Sequence, residues 1–408
     1  MGYETYRIAD LIDEIAMGPF GSNIKVSCFV DSGVPVLNGS NLEGFSLSEK
    51  TFRYVTREKA DSLNKANAHR GDIVITHRGT LGQIVFIPQD SKYDRYVISQ
   101  SQFRVRCNDK VLPEYLVYYF HTPIGQHKLL SNASQVGVPA LARPSSTFQQ
   151  IEVVLPELSI QERVVEIIST IQKKIAINKK INDNLEWQLR TVFKAEFTDN
   201  PELENITQIP LSELCHVVTK GTTPTTLGKP FVETGINFIK AESILDDHSI
   251  DKSKFAFIDE ETNALLKRSI IHAGDVVFTI AGTLGRFALI DENVLPANTN
   301  QAVAIIRADV EKVLPEYIYT CFIGEWHTDY YAKRVQQAVQ ANLSLTTIKS
   351  LPIPLLDEAK MSEYLSLILP LIKAIKTNEA QNEKLAALRD NLLPKLMSGE
   401  IDVSAVQL

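Results

Sequence analysis

The sequence contains a long internal repeat. Residues 69–74 (HRGDIV) return as residues 272–277 (HAGDVV), 203 positions later, and GTLG at 79–82 returns at 282–285 with the same offset. LPEY at 112–115 returns at 314–317, an offset of 202. Solenoid repeats have periods of roughly 20–50 residues, so this repeat indicates a duplicated domain. Two similar domains on one chain favour a partner with approximate two-fold symmetry, or two sites that are read at once.

Composition places the chain among ordinary folded proteins. Its 408 residues predict two or three domains, and 44% apolar with 22% charged residues is typical of globular proteins. No apolar run is long enough to span a membrane, and the N-terminus lacks the pattern of a signal peptide, so a cytoplasmic location is expected. The four cysteines, which are far apart and form no CxxC, predict reduced thiols: Cys28, Cys107, Cys215 and Cys321.

The net charge of −7 counts against a simple cationic nucleic-acid binder. The distribution of charge matters more than its sum, because an acidic body can still carry a local basic face.

Each repeat divides into a strand-rich part and a long helix. Runs such as 72–76, 83–87 and 103–106 are rich in β-branched and aromatic residues, and GTLG at 79–82 predicts a tight turn between two strands. Short helices are expected near 58–66 and 113–130. The predicted fold class is α/β (α+β), with two similar mixed domains, two long helices and internal pseudo-two-fold symmetry. The predicted limits are 1–158, 159–198 (helix), 199–356, 357–398 (helix) and a tail at 399–408.

Apolar residues at alternating spacings of three and four predict a heptad seam on both long helices. The seam positions are Val164, Ile168, Ile171, Ile175, Leu185, Leu189 and Val192, then Ile368, Leu371 or Ile372, Ile375, Leu385, Leu388, Leu392 and Leu396. Asparagines interrupt both seams, and buried asparagines lower stability but select one register. We expect antiparallel helices that keep the two globular parts at opposite ends. This arrangement pairs Asn178 with Asn382 and Asn182 with Asn378.

Pro370 stands within the second predicted helix. A proline in a helix interior removes a hydrogen bond, so the helix is expected either to bend there or to begin near it.

A helix of about 38 residues is about 57 Å long, and major-groove half-sites on one face of B-DNA lie roughly 34–36 Å apart. The helix pair is therefore long enough to separate two DNA-reading domains, although a plain dimerisation stalk or scaffold would have the same length.

Several short motifs, in order and in duplicate, resemble the specificity subunits of type I restriction–modification systems. The resemblance covers nearly the whole chain. Its motifs are GPFGSNIK at 18–25, VPVLNGSNL at 34–42, RGDIVI at 70–75 with RGTLG at 78–82, LPELSIQER at 155–163, KGTTPT at 220–225 and LPKLMSGEI at 393–401. The second copy departs from the pattern at 355–360, where the glutamine–glutamate pair of 161–162 is missing.

The resemblance implies a non-catalytic subunit that binds double-stranded DNA. Each domain would read one half of a bipartite target, and the helix pair would set the gap and dock two copies of a methyltransferase (modification) subunit. Restriction/translocase subunits would join in the full complex. No cofactor, metal or membrane contact is implied for this chain.

Arg, Asn and Gln read bases in the major groove, whereas Lys, Ser and Thr contact phosphates, so loops that bear these residues are the predicted DNA-binding sites. In the first copy they are Lys25, Asn38, Ser40, Asn41, His77, Arg78, Thr80, Gln100, Gln102 and Gln135. In the second they are Lys220, Thr222, Thr223, Lys240, Thr279, Thr283, Arg286, Asn300, Gln301, Gln337, Gln340 and Asn342. Positions that differ between the copies, such as Arg78 and Arg286, are the better candidates for base reading, because the two halves should read different bases. Asn38, Asn41, Thr80 and Thr283 could instead be plain turn residues.

The sequence shows no P-loop, HExxH, methyltransferase or dinucleotide-binding motif. Three alternatives stay open. The chain could serve a related restriction system in which one enzyme both cuts and methylates, it could be a self-contained pseudo-dimeric nuclease, or it could be a duplicated scaffold that binds only protein.

Overall fold

The computed structural model describes residues 3–134, 138–200, 206–328, 330–331 and 342–403. The chain divides into two compact units, Met1–Lys174 with Leu385–Leu408, and Ile175–Lys384. We call them unit 1 and unit 2. Gln135, Gln337 and Gln340, three of the predicted DNA contacts, lie outside the described residues.

The strands follow the duplication. Those of the first copy are β1 Glu4–Arg7, β2 Ile12–Met17, β3 Phe29–Val30, β4 Val34–Val36, β5 Arg53–Val55, β6 Asn67–His69, β7 Ile73–Thr76, β8 Ile84–Phe86, β9 Arg95–Val97, β10 Gln102–Cys107, β11 Ala133–Ser134, β12 Ala140–Leu141 and β13 Glu152–Leu155. Those of the second are β14 Gln208–Pro210, β15 Cys215–Lys220, β16 Ile236–Ile239, β17 Ala256–Ile258, β18 Val276–Thr279, β19 Phe287–Leu289, β20 Ala297–Thr299, β21 Val303–Ala308 and β22 Pro352–Pro354.

The α-helices are α1 Arg57–Ser62, α2 Pro113–His121, α3 Pro123–Leu130, α4 Pro144–Gln149, α5 Leu158–Phe197, α6 Glu260–Leu265, α7 Pro315–Ile323, α8 Leu345–Lys349 and α9 Glu358–Ser398. Short 3₁₀ turns join the strands at Ile8–Leu11, Gly21–Asn23, Val26–Cys28, Gly39–Leu42, Asn64–Ala66, Leu211–Glu213, Pro224–Leu227, Ala241–Ser243, Lys252–Lys254, Lys267–Ser269 and Glu292–Val294. The helical region expected at 113–130 is two helices, because Thr122 is extended and its side chain caps the second of them.

Unit 1 is built on two larger sheets, to which the two-stranded sheets β1-β13 and β11-β12 are added. One has the order β2-β10-β7-β8 and is antiparallel, and the other has the order β3-β5-β4-β9-β6 with β4 and β9 parallel. The predicted turn lies between the paired strands β7 and β8. Gly79 and Gly82 of this turn have φ values of 90° and 86°, a region that glycine enters without steric strain.

Among its described residues, unit 2 repeats this plan with fewer strands. Its antiparallel sheet β15-β21-β18-β19 corresponds to the first sheet of unit 1, and β17-β16-β20 corresponds to the middle of the second. The equivalent turn has Gly282 and Gly285 at φ values of 77° and 88°.

Strands β7 and β18 are buried at every position because both of their faces are covered, and three consecutive residues of each are apolar. In β7, Ile73 and Ile75 pack into one hydrophobic cluster, whereas Val74 points to the other face and packs into a second. In β18, Val276 and Phe278 belong to one cluster and Val277 to another. The alternation of side chains along a strand thus connects two cores in each unit.

Helix α5 and helix α9 each supply an apolar stripe to both units. In unit 1, Val164 and Ile168 share a core with Leu393 and Leu396. The predicted seam residue Leu388 is 48% exposed, so the stripe of α9 is not buried throughout.

In unit 2, Leu189 and Phe193 share a core with Ile368 and Ile372. Helix α9 begins twelve residues before Pro370 and continues through it, so of the two expected alternatives a start near the proline is excluded.

Asparagine contacts show that the helices of unit 2 are antiparallel. Nδ2 of Asn178 donates to Oδ1 of Asn382 at 2.9 Å, and Nδ2 of Asn378 donates to Oδ1 of Asn182 at 2.8 Å. Residue numbers rise along one helix as they fall along the other. The predicted fold class is therefore observed: mixed α/β domains in duplicate, with a pair of long antiparallel helices. None of the helices in the described ranges is long and apolar enough to cross a membrane.

Candidate nucleic-acid interface

The repeated HxGD motif belongs to the framework behind the candidate interface. In unit 1, Oδ2 of the buried Asp72 accepts a 2.9 Å hydrogen bond from the backbone N–H of His69. Nε of Arg106 donates to Oδ1 of Asp72 at 2.9 Å, and Arg104 lies 3.3 Å from Oδ2 and 2.9 Å from Glu14. The hydrogen bond to Asp72 raises the pKa of Arg106. These charges connect β10 to the start of β7.

Unit 2 has the same arrangement around its buried aspartate, with one arginine in place of two. Oδ2 of Asp275 accepts from the backbone N–H of His272 at 2.8 Å, and Arg307 donates to both carboxylate oxygens at 2.7 Å. Asp275 is fully buried. The shared motif therefore stabilises the sheet in both copies.

Arg286 is occupied within its own unit. Nε and Nη2 donate to the two oxygens of Asp246 at 2.6 and 2.8 Å, and Nη1 donates to the carbonyl of Ile244 at 3.2 Å. The equivalent residue of unit 1, Gln83, donates from Nε2 to the carbonyl of Gly39 at 3.1 Å. Both side chains therefore connect the β-hairpin turn to a neighbouring loop through a hydrogen bond. A DNA contact by Arg286 would therefore have to break its pair with Asp246.

The predicted loop residues near Asn38 make turn hydrogen bonds. Oδ1 of Asn38 accepts from the N–H of Ser40 at 2.9 Å and from its hydroxyl at 2.5 Å. Asn41 is 1% exposed, and its amide donates to the carbonyls of Ser48 and Thr51. Asn41 therefore cannot reach DNA without unfolding the turn, whereas Asn38 and Ser40 remain exposed.

A groove of about 610 Å³ in unit 1 brings several predicted residues together. It is lined by Met17, Gly18, Pro19, Phe20, Gly21, Asn23, Ser62, Leu63, Asn64, Lys65, Ala66, His77, Arg78 and Gln100. Arg78 is exposed and forms no ion pair with any residue that the structure describes. Burial lowers the pKa of His77, whose Nε2 donates to the carbonyl of Gln100 at 3.1 Å. The groove thus offers one unpaired guanidinium, an amide and a neutral imidazole.

The other predicted residues of unit 1 lie apart from this group. Gln102 is 1% exposed and its Oε1 accepts from the N–H of Ser99 at 2.9 Å, which assigns it to the loop framework. Lys25 and Thr80 are exposed but do not line the groove.

In unit 2 several predicted residues contact neighbouring side chains or backbone groups. The Thr223 hydroxyl donates to Oε1 of Gln301, and Oδ1 of Asn300 accepts from the N–H of Ala302 at 3.0 Å. Lys240 lies 3.8 Å from Glu242 and 5.2 Å from the centre of the Phe231 ring.

The remaining candidates differ in accessibility. Lys220 and Thr222 are half-buried, and Asn342 is exposed. Thr279 is buried and Thr283 donates to the carbonyl of Ala241, so these two threonines belong to the turn.

Sequence reasoning missed Phe20, Asn64 and Lys65, which also line the groove. Asn64 has a φ of 45°, so the backbone turns sharply where it enters the groove. Phe20 is 83% exposed. The signal that could have identified it is a large apolar residue between two glycines, Gly18 and Gly21, at a position where the second copy has Thr223.

The described residues contain no group of three or more His, Cys, Asp or Glu side chains placed to hold a metal ion. The cysteines are free, and burial raises the pKa of Cys107 and of Cys215 to about 12. These thiols are poor nucleophiles at neutral pH.

Comparisons with known proteins agree with the duplicated architecture. Residues 2–187 and 204–387 each match the family described as "Type I restriction modification DNA specificity domain". The chain is 23% identical to the type I restriction enzyme MjaIX specificity subunit of Methanocaldococcus jannaschii over 98% of this chain and 94% of that protein. It is 24% identical to the type I restriction enzyme HindI specificity subunit of Haemophilus influenzae over 81% and 87%.

A solved structure shares the fold. The S subunit of a type I restriction–modification system from M. genitalium aligns with a TM-score of 0.53 at 14% identity, covering 97% of this chain and 96% of that chain.

Proposed function

Because the chain belongs to the type I restriction modification DNA specificity family, we propose that it selects the DNA sequence on which a type I restriction–modification enzyme acts. The observation that carries the proposal is the pair of family domains at 2–187 and 204–387, on one scaffold but with different exposed side chains. Two copies of one fold can bind the regular DNA duplex in the same way. Their different exposed side chains can recognise two different half-site sequences.

In this proposal each domain reads one half of a bipartite target. Residues 1–158 and 199–356 are the two recognition domains. Arg78 and Gln100 contact bases in the first half-site, and Lys25 and Lys220 contact phosphates. Phosphate contacts supply salt-dependent affinity, and each specific base contact adds roughly 1–3 kcal/mol of discrimination.

The helix pair is proposed to set the gap between the half-sites. Helix α5 has 40 residues, which corresponds to about 60 Å. Half-sites one helical turn apart are separated by roughly 34–36 Å. The helices are therefore long enough to act as a spacer.

The same helices are proposed to dock two methyltransferase subunits, and restriction subunits join the full complex. In unit 2, helix α5 exposes Ile177, Ile181 and Trp187 by 51%, 42% and 62%. Exposed apolar side chains on one helix suit a partner protein. The chain itself is proposed to be non-catalytic and to need no cofactor.

The test is to map methylated sites in cells whose specificity subunit carries one extra helical turn in both α5 and α9. One turn adds about 5.4 Å, so the gap between the half-sites should lengthen while the half-site sequences stay the same. A matched control is Thr377→Ala, which changes α9 without changing its length. An unaltered gap in the lengthened variant would contradict the spacer.

Two further assays address the alternative functions. The purified chain is expected to show neither DNA cleavage nor methyl transfer by itself, and either activity would favour a self-contained enzyme. Duplex DNA should bind to the complex with its modification subunit, and binding should weaken as salt rises. Absence of any DNA binding would favour a scaffold that contacts only protein.

A further inference from the structure

Phe20 is a large aromatic residue on the surface of unit 1. Its side chain is 83% exposed, although it lies on a loop that is anchored at several points. The N–H of Gly18 donates to the carbonyl of Gln102 at 2.8 Å, and the N–H of Asn23 donates to the carbonyl of Phe20 itself at 2.8 Å. A Cβ atom at Gly18 would overlap the carbonyl oxygen of Ser99. The loop is therefore seated closely on the β9–β10 connection, and the exposed ring is part of a well-defined turn.

Gln100 lines the same groove as Phe20. A Cβ atom at Gly21 would meet Oε1 of Gln100, so the amide of Gln100 lies directly over the residue that follows Phe20. The amide makes no hydrogen bond with the described part of the chain, and Gln100 is exposed. An exposed apolar ring and an amide with free donor and acceptor groups therefore line the same groove, and the amide lies over the residue next to Phe20 in sequence.

The second copy keeps the glutamine but differs in the residue beside it and in the hydrogen bonding of the amide. Thr223 aligns with Phe20 at an offset of 203, and Gln301 aligns with Gln100 at an offset of 201. The Thr223 hydroxyl donates to Oε1 of Gln301, so the second amide is engaged within its own loop. The combination of an exposed ring with a free amide occurs in unit 1, and a residue that reads only one half-site should show this kind of asymmetry.

We propose that Phe20 and Gln100 together read one A·T base pair in the major groove of the first half-site. In that groove an A·T pair presents adenine N7 and N6 beside the thymine methyl group. The Gln100 amide would donate to N7 and accept from N6, and the Phe20 ring would cover the methyl group. This assignment rests on the proposed function, because it requires that unit 1 binds DNA.

The experiment uses the full complex of this chain with its modification subunit and a duplex that carries the mapped target. Each thymine of both half-sites is replaced in turn by deoxyuridine, which lacks only the methyl group. One replacement, in one half-site, should weaken binding about fourfold, as expected for loss of one buried methyl contact. Replacing the adenine of the same pair by 7-deazaadenine should weaken binding roughly fivefold, as expected for one lost hydrogen bond.

The variants assign these effects to residues. Phe20→Ala should abolish the thymine–uracil difference at that pair, and Gln100→Ala should abolish the effect of 7-deazaadenine there. Ile124→Ala is the matched control, since Ile124 is 64% exposed on α3 but does not line the groove. Thermal unfolding of all three variants checks that they remain folded.

Several outcomes would overturn the proposal. One is a difference in binding between thymine and uracil that remains in Phe20→Ala. Another is that no replacement of a thymine by deoxyuridine weakens binding. A third is a fluorescence increase of 2-aminopurine beside the site that depends on Phe20, because it would show that the ring separates stacked bases. If the unaltered complex showed no preference for the mapped target, the proposed function itself would fail, which is a different result from all three.

Discussion

Nδ2 of Asn178 donates a 2.9 Å hydrogen bond to Oδ1 of Asn382 on the antiparallel helix. Asn178 is fully buried, and its own side-chain oxygen is a buried acceptor without a hydrogen-bond partner among the described residues. A buried polar group that lacks a partner lowers stability, whereas a single polar pair in an apolar seam selects one register. We therefore propose that this pair sets the alignment of the helices at the expense of stability.

Replacing both asparagines by leucine should stabilise the chain. Asn178→Leu with Asn382→Leu removes the unpartnered oxygen and continues the apolar seam, so the free energy of unfolding should rise by roughly 1–2 kcal/mol. Urea denaturation measures the change. Asn184→Leu is the control, since Asn184 is exposed on the same helix and its replacement should change the free energy by less than about 0.5 kcal/mol. Lower stability of the double variant would contradict the interpretation.

Asp275→Asn should strongly destabilise unit 2. The substitution leaves the charge of Arg307 without its fully buried partner, and loss of one member of a buried pair costs about 3 kcal/mol or more. Glu261→Gln serves for comparison, because Glu261 is 72% exposed in its pair with Lys229 and surface pairs contribute at most about 1 kcal/mol. Chemical denaturation compares the two variants. Equal effects would show that the Asp275 pair is not part of the framework.

Arg78→Ala should weaken specific DNA binding roughly tenfold, within the usual range for one base contact. Arg286→Ala should have a much smaller effect, because Asp246 already occupies that guanidinium. Affinities are measured at several salt concentrations for the complex with its modification subunit. If Arg78 contacts a phosphate instead of a base, its loss should weaken binding to all sequences alike and reduce the salt slope by about one. A larger effect of Arg286→Ala would contradict this assignment.

Acid should destabilise unit 2 through His327. Burial, with smaller effects from the charges of His248 and Arg190, lowers the pKa of His327 to about 4. Its Nδ1 is buried without a partner, and the ring packs 5.1 Å from Phe322.

As the pH falls, the unfolded chain protonates this histidine at about pH 6.5, before the folded chain does. The stability that comes from the neutral His327 is therefore fully present above about pH 6.5 and is lost as the pH falls towards 4, by roughly 3 kcal/mol in all. His327→Leu should remove this part of the pH dependence in denaturation experiments. An unchanged pH profile would show that other groups cause it.

Patterns in the sequence predicted the long helices and their contacts. They did not predict the role of every residue that differs between the two copies. The heptad spacing predicted both long helices, and the asparagine offsets predicted which residues face each other, because helix geometry converts spacing directly into position. The comparison of the two copies suggested Arg286 as a DNA contact because it differs from Gln83. Both residues nevertheless brace the same turn with different chemistry. A difference between copies can therefore preserve a structural contact, and only tertiary distances distinguish this case from a change of specificity.

The duplication, the sheet-forming segments, the glycine turns and the two seam helices were determined by sequence alone, since each depends on residues close together along the chain. The tertiary structure decided which polar side chains remain available. Asn41 and Gln102 looked like equals of Gln100, yet burial and backbone hydrogen bonds occupy the first two and leave the third exposed. Partners and exposure depend on residues distant in the chain, and the structure brought Phe20, Arg78 and Gln100 into one groove.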